Sequence, residues 1–214
     1  MKHFISRRNF LKAVGVTAAA SAMAAAVPQA SAGFLTGKDA AVTILYTNDV
    51  HTYIDHKSPK LTYAAIAAMK QGYVDEGKPV LLVDAGDHIQ GTAYGSMDDG
   101  ATIIELMNEA GYDIATLGNH EFDYGMARAK AIIKEADFPY VSCNWVDLRT
   151  GLRVLPAVKL FPAGGKWIAF VGITTPESFT KSTPAYFMNA KQTKYIYDCL
   201  LYTSDAADDR ISVD

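Results

Sequence analysis

The chain has 214 residues, of which 50% are hydrophobic and 20% charged, and a formal net charge of -3 at pH 7. Such a balance suits one or two globular domains and leaves no basic excess with which to track a nucleic-acid polymer or an anionic lipid surface. Its 2 cysteines, Cys143 and Cys199, supply no disulfide framework.

At the start, Ser6-Arg7-Arg8-Asn9-Phe10-Leu11-Lys12 precedes an Ala-rich apolar run from Ala13 to Val27 and the small-residue triplet Ala30-Ser31-Ala32. This arrangement resembles a twin-arginine export signal over residues 1–32, cleaved near Gly33. The apolar run is too short and too Ala-rich for a stable membrane anchor. The resemblance implies engagement of the twin-arginine export machinery, export of an already folded chain, and a periplasmic or otherwise exported location. Removing Lys2, Arg7, Arg8 and Lys12 with the signal leaves a more acidic remainder.

Residues 33–39 read as a linker. Ala41 to Tyr46 is a first apolar strand of the kind buried on both faces. Lys60 to Tyr73 is a predicted helix with Leu61, Ala65, Ala68 and Met69 inward, and Gly77 and Pro79 punctuate the return to a second strand through Asp84. Tyr94 to Gly100 looks irregular. Ala101 to Ala110 is helical, with Ile103, Leu106, Met107 and Ala110 on one face and Gly111 as its C-terminal cap. Asp113 to Leu117 forms the third strand. Met126 to Ala136 is a helix with Met126, Ala129 and Ile133 inward, Pro139 to Asn144 a strand with Cys143 as a buried thiol, and 153–161 and 166–174 two β-rich segments. Alternating strands and helices argue for parallel βαβ units in an α/β fold.

Each of the first three strands ends in a polar cluster: Thr47-Asn48-Asp49-Val50-His51, then Gly86-Asp87-His88-Ile89-Gln90-Gly91-Thr92, then Gly118-Asn119-His120-Glu121-Phe122-Asp123-Tyr124-Gly125. In open α/β sheets ligands bind where strands end, so oxygen donors and imidazoles gathered there point to a metal site. Asp49, His51, Asp87 and Asn119 are the natural ligand set. Taken singly, an Asp or Asn after a strand is most often a cap or turn former, and Asn119 and Asp123 fit that duller role.

The order Asp-x-His, Gly-Asp, Gly-Asn-His-Glu resembles the calcineurin-like metallophosphatases. The longer forms look like the secreted branch of 5'-nucleotidases, 2',3'-cyclic-nucleotide phosphodiesterases and UDP-sugar hydrolases. The resemblance, which covers about Ala41 to Glu177, implies a β-sandwich flanked by helices (αββα), here incomplete, and two divalent metal ions, whether Mn, Zn, Fe, Co or Mg. It assigns Asp49 and His51 to the first metal, Asp87 to both as a bridge, and Asn119 to the second. His120 becomes the catalytic contact to the phosphoryl group and Asp123 its orienting partner. The implied substrate is a nucleotide or other small phosphate ester, attacked by metal-activated hydroxide. His88, at a variable motif position, and Glu121 are placed behind the ligands, and His56 in solvent.

Departures from the family pattern also matter. Thr52 stands where a Gly commonly follows the His, and Ser142-Cys143-Asn144 replaces Ser-Ala-Asn. No His follows His120, whereas the family completes its site with later histidines. Residues 33–198 are therefore expected to be the N-terminal part of a catalytic domain, binding metal weakly and turning over poorly. Residues 199–214 resemble a translated sequencing adapter and are expected to be non-native. Two rival readings are a thiosulfohydrolase-like enzyme of the same superfamily and a non-catalytic metal- or nucleotide-binding fragment.

Overall fold

Strands β1 (Thr43–Thr47), β2 (Val80–Asp84) and β3 (Ile114–Ala115) lie side by side in that order, all parallel. The computed structural model describes residues 41–53, 62–189 and 192–197. The predicted export signal, His56, and the predicted non-native tail lie outside the described residues. A single parallel bridge from Ala115 to Tyr140 extends the sheet by the segment expected as a fourth strand. Pro139 and Val141 complete its ladder through Ala115, while Ser142 and Cys143 turn away to bond Pro156 and Gly172.

Parallel neighbours require crossovers, and helices supply them. Helix α1 (Tyr63–Asp75) links β1 to β2; the short α2 (Ala93–Ser96) and α3 (Ala101–Ala110) link β2 to β3. Helix α4 (Met126–Glu135) follows the third cluster. Helix α3 packs between α1 and α4, burying Ile103, Ile104, Met107 and Ala110, and Gly111 ends it in the left-handed conformation at φ 76°.

Three sequence expectations shift. Strand β1 is not buried on both faces: Leu45 packs on the core, but Ile44 and Tyr46 are 45% and 74% exposed. Strand β2, flanked by strands on both sides, is buried along most of its length, and β3 is buried at both residues. Helix α1 turns Tyr63 and Ile66 inward and leaves Ala68 and Met69 exposed. Alanines on every side blur its apolar stripe, and Thr62, whose hydroxyl caps Ala65 N at 3.2 Å, fixes the start at Tyr63, three residues later than expected. The irregular stretch from Tyr94 holds the short helix α2, capped by Thr92.

Downstream, β4 (Trp145–Asp147) pairs antiparallel with β5 (Leu152–Arg153) and β10 (Tyr195–Tyr197). Strands β6 (Val158–Ala163) and β7 (Lys166–Val171) form a hairpin, as the β-rich segments predict. Helix α5 (Ser178–Lys181) and the pair β8 (Met188–Asn189) and β9 (Gln192–Thr193) complete the described elements. Phe122, Trp145, Phe187, Tyr195 and Tyr197 gather in one aromatic core that seats the third cluster on this later part of the chain.

Asn144, fully buried, ties the same regions together. Its amide donates to the Thr174 carbonyl at 2.6 Å and accepts from Thr174 N at 3.1 Å, while the Thr174 hydroxyl donates to Leu117 O at 2.7 Å. Cys143 is a buried free thiol, as expected. Replacing Asn144 by Ala leaves two buried backbone groups without their partner, so stability falls by about 2–4 kcal/mol, read as a lower urea midpoint at unchanged slope.

Candidate metal centre

The three clusters meet because their main chains are stitched together directly. Asp49 N donates to Gly86 O at 3.2 Å and His51 N to Asp87 O at 3.0 Å, joining the first loop to the second. His120 N donates to Asp87 Oδ1 at 2.8 Å, joining the third. Glycines make the approach possible. A Cβ on Gly86, at φ 106°, would sit 2.4 Å from Gly118 N, and one on Gly118 would sit 2.2 Å from Asp87 Oδ1.

This closeness is held under backbone strain. Asp49, His51, Thr52 and Asp87 have φ of 53°, 48°, 58° and 59°, a region that side-chain-bearing residues rarely enter. Strain gathered at one point marks a place where the fold over-determines geometry for function.

Within that frame, one ligand atom each from His51, Asp87 and His120 lies within 4.8 Å of the others, a group able to hold a metal ion. The His51 and His120 rings stand edge to face at 4.9 Å. His51 Nδ1 lies 3.0 Å from the Gln90 carbonyl, which only accepts; Nδ1 therefore carries the hydrogen and Nε2 keeps its lone pair. His120 Nδ1 lies 2.6 Å from Asp123 Oδ2, which leaves Nε2 as its free ring atom.

Asp49 reaches the group from the solvent side, Oδ1 4.0 Å from His51 Nε2, and lies close enough to Asp87 to act on its carboxyl. Burial, then the nearby Glu121 charge, push the Asp87 pKa up, against the His120 N–H that favours its ionised form; the Asp49 contact pushes it up further. Carboxylates crowded in this way beside imidazole nitrogens suit a divalent cation, so the donor set fits the metal that the sequence implies. His120 is pulled down by burial, yet its bond and proximity to Asp123 prevail and raise its pKa.

Behind the donors lies a wholly buried layer. Glu121 accepts from Asp87 N at 2.9 Å, His88 N at 2.8 Å and Gly118 N at 2.6 Å. His88 bonds Asp84 Oδ1 and the Tyr140 hydroxyl, both at 2.8 Å, and Thr47 Oγ1 donates to Asp84 Oδ2 at 2.5 Å. Burial alone lowers the His88 pKa, but the Glu121 and Asp84 carboxylates outweigh it and raise it to about 9.

Of the sequence-predicted residues, His51, Asp87 and His120 come from all three loops into one group, with Asp49 beside His51 and Asp123 on His120. His88 and Glu121 sit behind the donors, as expected. Asn119 opens the 3-10 turn His120–Phe122, but its side chain makes no capping bond, and Asp123 turns its carboxylate to His120 instead of serving only as a turn former. The sequence reading missed Asp84, whose sole signal is an acid ending an apolar strand, and the Thr52–Thr92 pair.

The sequence profile of the calcineurin-like phosphoesterase family matches residues 42–191. The chain belongs to that family. Among relatives of this calcineurin-like phosphoesterase, human 5'-nucleotidase is 35% identical over 67% of this chain and 28% of its own length. Protein UshA of Salmonella pullorum is 31% identical over 84% of this chain and 33% of its own. The chain thus spans about a third or less of the curated relatives it matches. In fold it is similar to calcineurin-like phosphoesterase YfkN from Bacillus subtilis, with a TM-score of 0.61 and 26% identity over 79% of this chain and 57% of that one. The mixed α/β architecture of the metallophosphatases is therefore the architecture here.

Two outcomes test the centre of this calcineurin-like phosphoesterase. His88→Leu strands the Asp84 and Glu121 carboxylates without their buried partner and lowers stability by about 3–5 kcal/mol in urea unfolding. In the unsubstituted chain the folded His88 pKa lies above its ordinary 6.5, so its contribution is whole below about pH 6.5 and fades as pH rises through 9. Gly118→Ala drives a methyl onto the Asp87 carboxylate; Mn2+ affinity, measured by titration calorimetry, falls at least tenfold.

Proposed function

We propose that the protein is an exported dimetal phosphoesterase that hydrolyses nucleotides, as a 5'-nucleotidase, a cyclic-nucleotide phosphodiesterase, or both. The observation that carries the reading is the convergence of His51, Asp87 and His120 from three loops into one group able to hold a metal ion. Nucleotides are preferred as substrates because the relatives above 30% identity include 5'-nucleotidases from several animals and a bacterium.

In this reading Asp49 and His51 would hold one cation, Asp87 would be shared with a second, and Asn119 would offer its amide oxygen to that second cation. Bound divalent cations supply positive charge against the phosphate oxygens and lower the pKa of water. Supporting the shared role of Asp87 are the hold of His120 N on its Oδ1 and the offset that a shared carboxylate would give to repulsion between neighbouring cations. Asp123 holds His120 Nδ1, so that Nε2 is presented to the phosphoryl group as charge builds on its oxygens. His51 is held through Nδ1 by Gln90, which keeps Nε2 available as a ligand.

Export by the twin-arginine route rests on Arg7-Arg8 and the apolar run after them. Among the described residues no helix is long and apolar enough to cross a membrane.

The test measures Mn2+ binding and phosphate release from a mononucleotide, with a thiosulfate ester assayed in parallel. Asp87→Asn lowers both Mn2+ affinity and phosphate release. His120→Ala lowers the rate by about 100-fold or more while leaving Mn2+ affinity within a few-fold. Turnover of the thiosulfate ester in preference to the nucleotide would overturn the substrate assignment. Unchanged Mn2+ affinity in the Asp87 variant would overturn the metal reading.

A further inference from the structure

Thr52 is a β-branched residue held at φ 58°, directly after His51 at φ 48°. Two consecutive left-handed residues without a glycine require something to hold them there. The first loop's backbone bonds to the second end at His51 N, before the strained peptide between His51 and Thr52.

Beyond that peptide a reciprocal clasp takes over. Thr92 N donates to Thr52 Oγ1 at 2.7 Å, the two hydroxyls lie 2.7 Å apart, and Thr92 Oγ1 donates back to Thr52 O at 3.1 Å. Thr52 is wholly buried. Its methyl occupies space left by Gly95, where a Cβ would stand 2.7 Å from Thr52 Cγ2 and 2.2 Å from Ile89 O. Gly91, at φ 148°, leaves the corresponding space on the other side, since a Cβ there would meet His51 O at 2.2 Å. The segment gripping Thr52 also contains Gln90, whose carbonyl receives His51 Nδ1.

We propose that Thr52 is a positioning residue: its hydroxyl, clasped by Thr92, locks the left-handed turn that aims the His51 ring and keeps Nδ1 on Gln90. A relaxed φ at Thr52 would swing the His51 carbonyl away from Gly91 and carry the imidazole off its acceptor. Thr52 touches neither substrate nor cation. It acts through His51, and its bearing on cation binding rests on the metal reading proposed above.

The test uses the full chain, with histidines labelled by 15N and the His51 signals assigned through a His51 variant. Thr52→Val keeps the branching and the volume but removes the hydroxyl; Thr52→Ser restores the hydroxyl. Without metal, the His51 Nδ1–H signal of the parent and Thr52→Ser chains shows protection from exchange with water, and this protection is lost in Thr52→Val. Mn2+ affinity falls about 10–100-fold in Thr52→Val and recovers in Thr52→Ser, the scale expected for loss of a group that orients a ligand. Thr92→Val reproduces the Thr52→Val result without altering the strained residue, and decides the matter should Thr52→Val fail to fold. An unchanged His51 signal in both valine variants would overturn the proposal. Failure of the parent chain to bind Mn2+ would sink the metal reading instead, and the metal-free His51 signal would still decide the clasp.

Discussion

The carboxylate of Glu121 accepts hydrogen bonds from backbone N–H groups of two separate loops, and the centre is built outward from that point. One oxygen takes Asp87 N and Gly118 N; the other takes His88 N. By accepting from all three, the carboxylate converts otherwise orphaned buried amides into a rigid joint. Asp87 and Asn119 stand on either side of this joint, so their separation is set by main chain and not by side-chain flexibility.

The imidazole of His88 balances the negative charge gathered there. It lies between Asp84 and Glu121 in a site closed to solvent, where a carboxylate pair without a cation would be expensive. Thr47 and Tyr140 satisfy what remains of the polar atoms around Asp84 and His88. The layer behind the donors is thus electrically settled by its own residues. The donors in front are not: Asp49 and Asp87 press together, a pairing that invites a metal.

Much of this was legible in the chain itself. The helix Ala101–Ala110 was readable to the residue because its apolar positions repeat cleanly and a glycine ends it; the inward face of Tyr63–Asp75 was not, because alanines dilute the pattern. The donors announced themselves as polar clusters after apolar strands. The clasp of Thr52 and the place of Asp84 could not be read in that way. Both depend on contacts between residues 37 to 40 positions apart, and threonine or a strand-ending aspartate has many commoner uses. The exposed edge of β1 was likewise hidden, since an apolar run does not say which of its faces finds a neighbour.

The close passage of Gly86 over Gly118 has a consequence for how such a protein can diversify. Two loops in main-chain contact leave no gap to widen, so an insertion at that crossing would dismantle the joint. The exposed residues from Ser96 to Asp99, outside the clasp of Thr52 and Thr92, make no such main-chain crossing. Length changes are therefore easier to absorb at the periphery than at the crossing of Gly86 and Gly118, where the main chains leave no room.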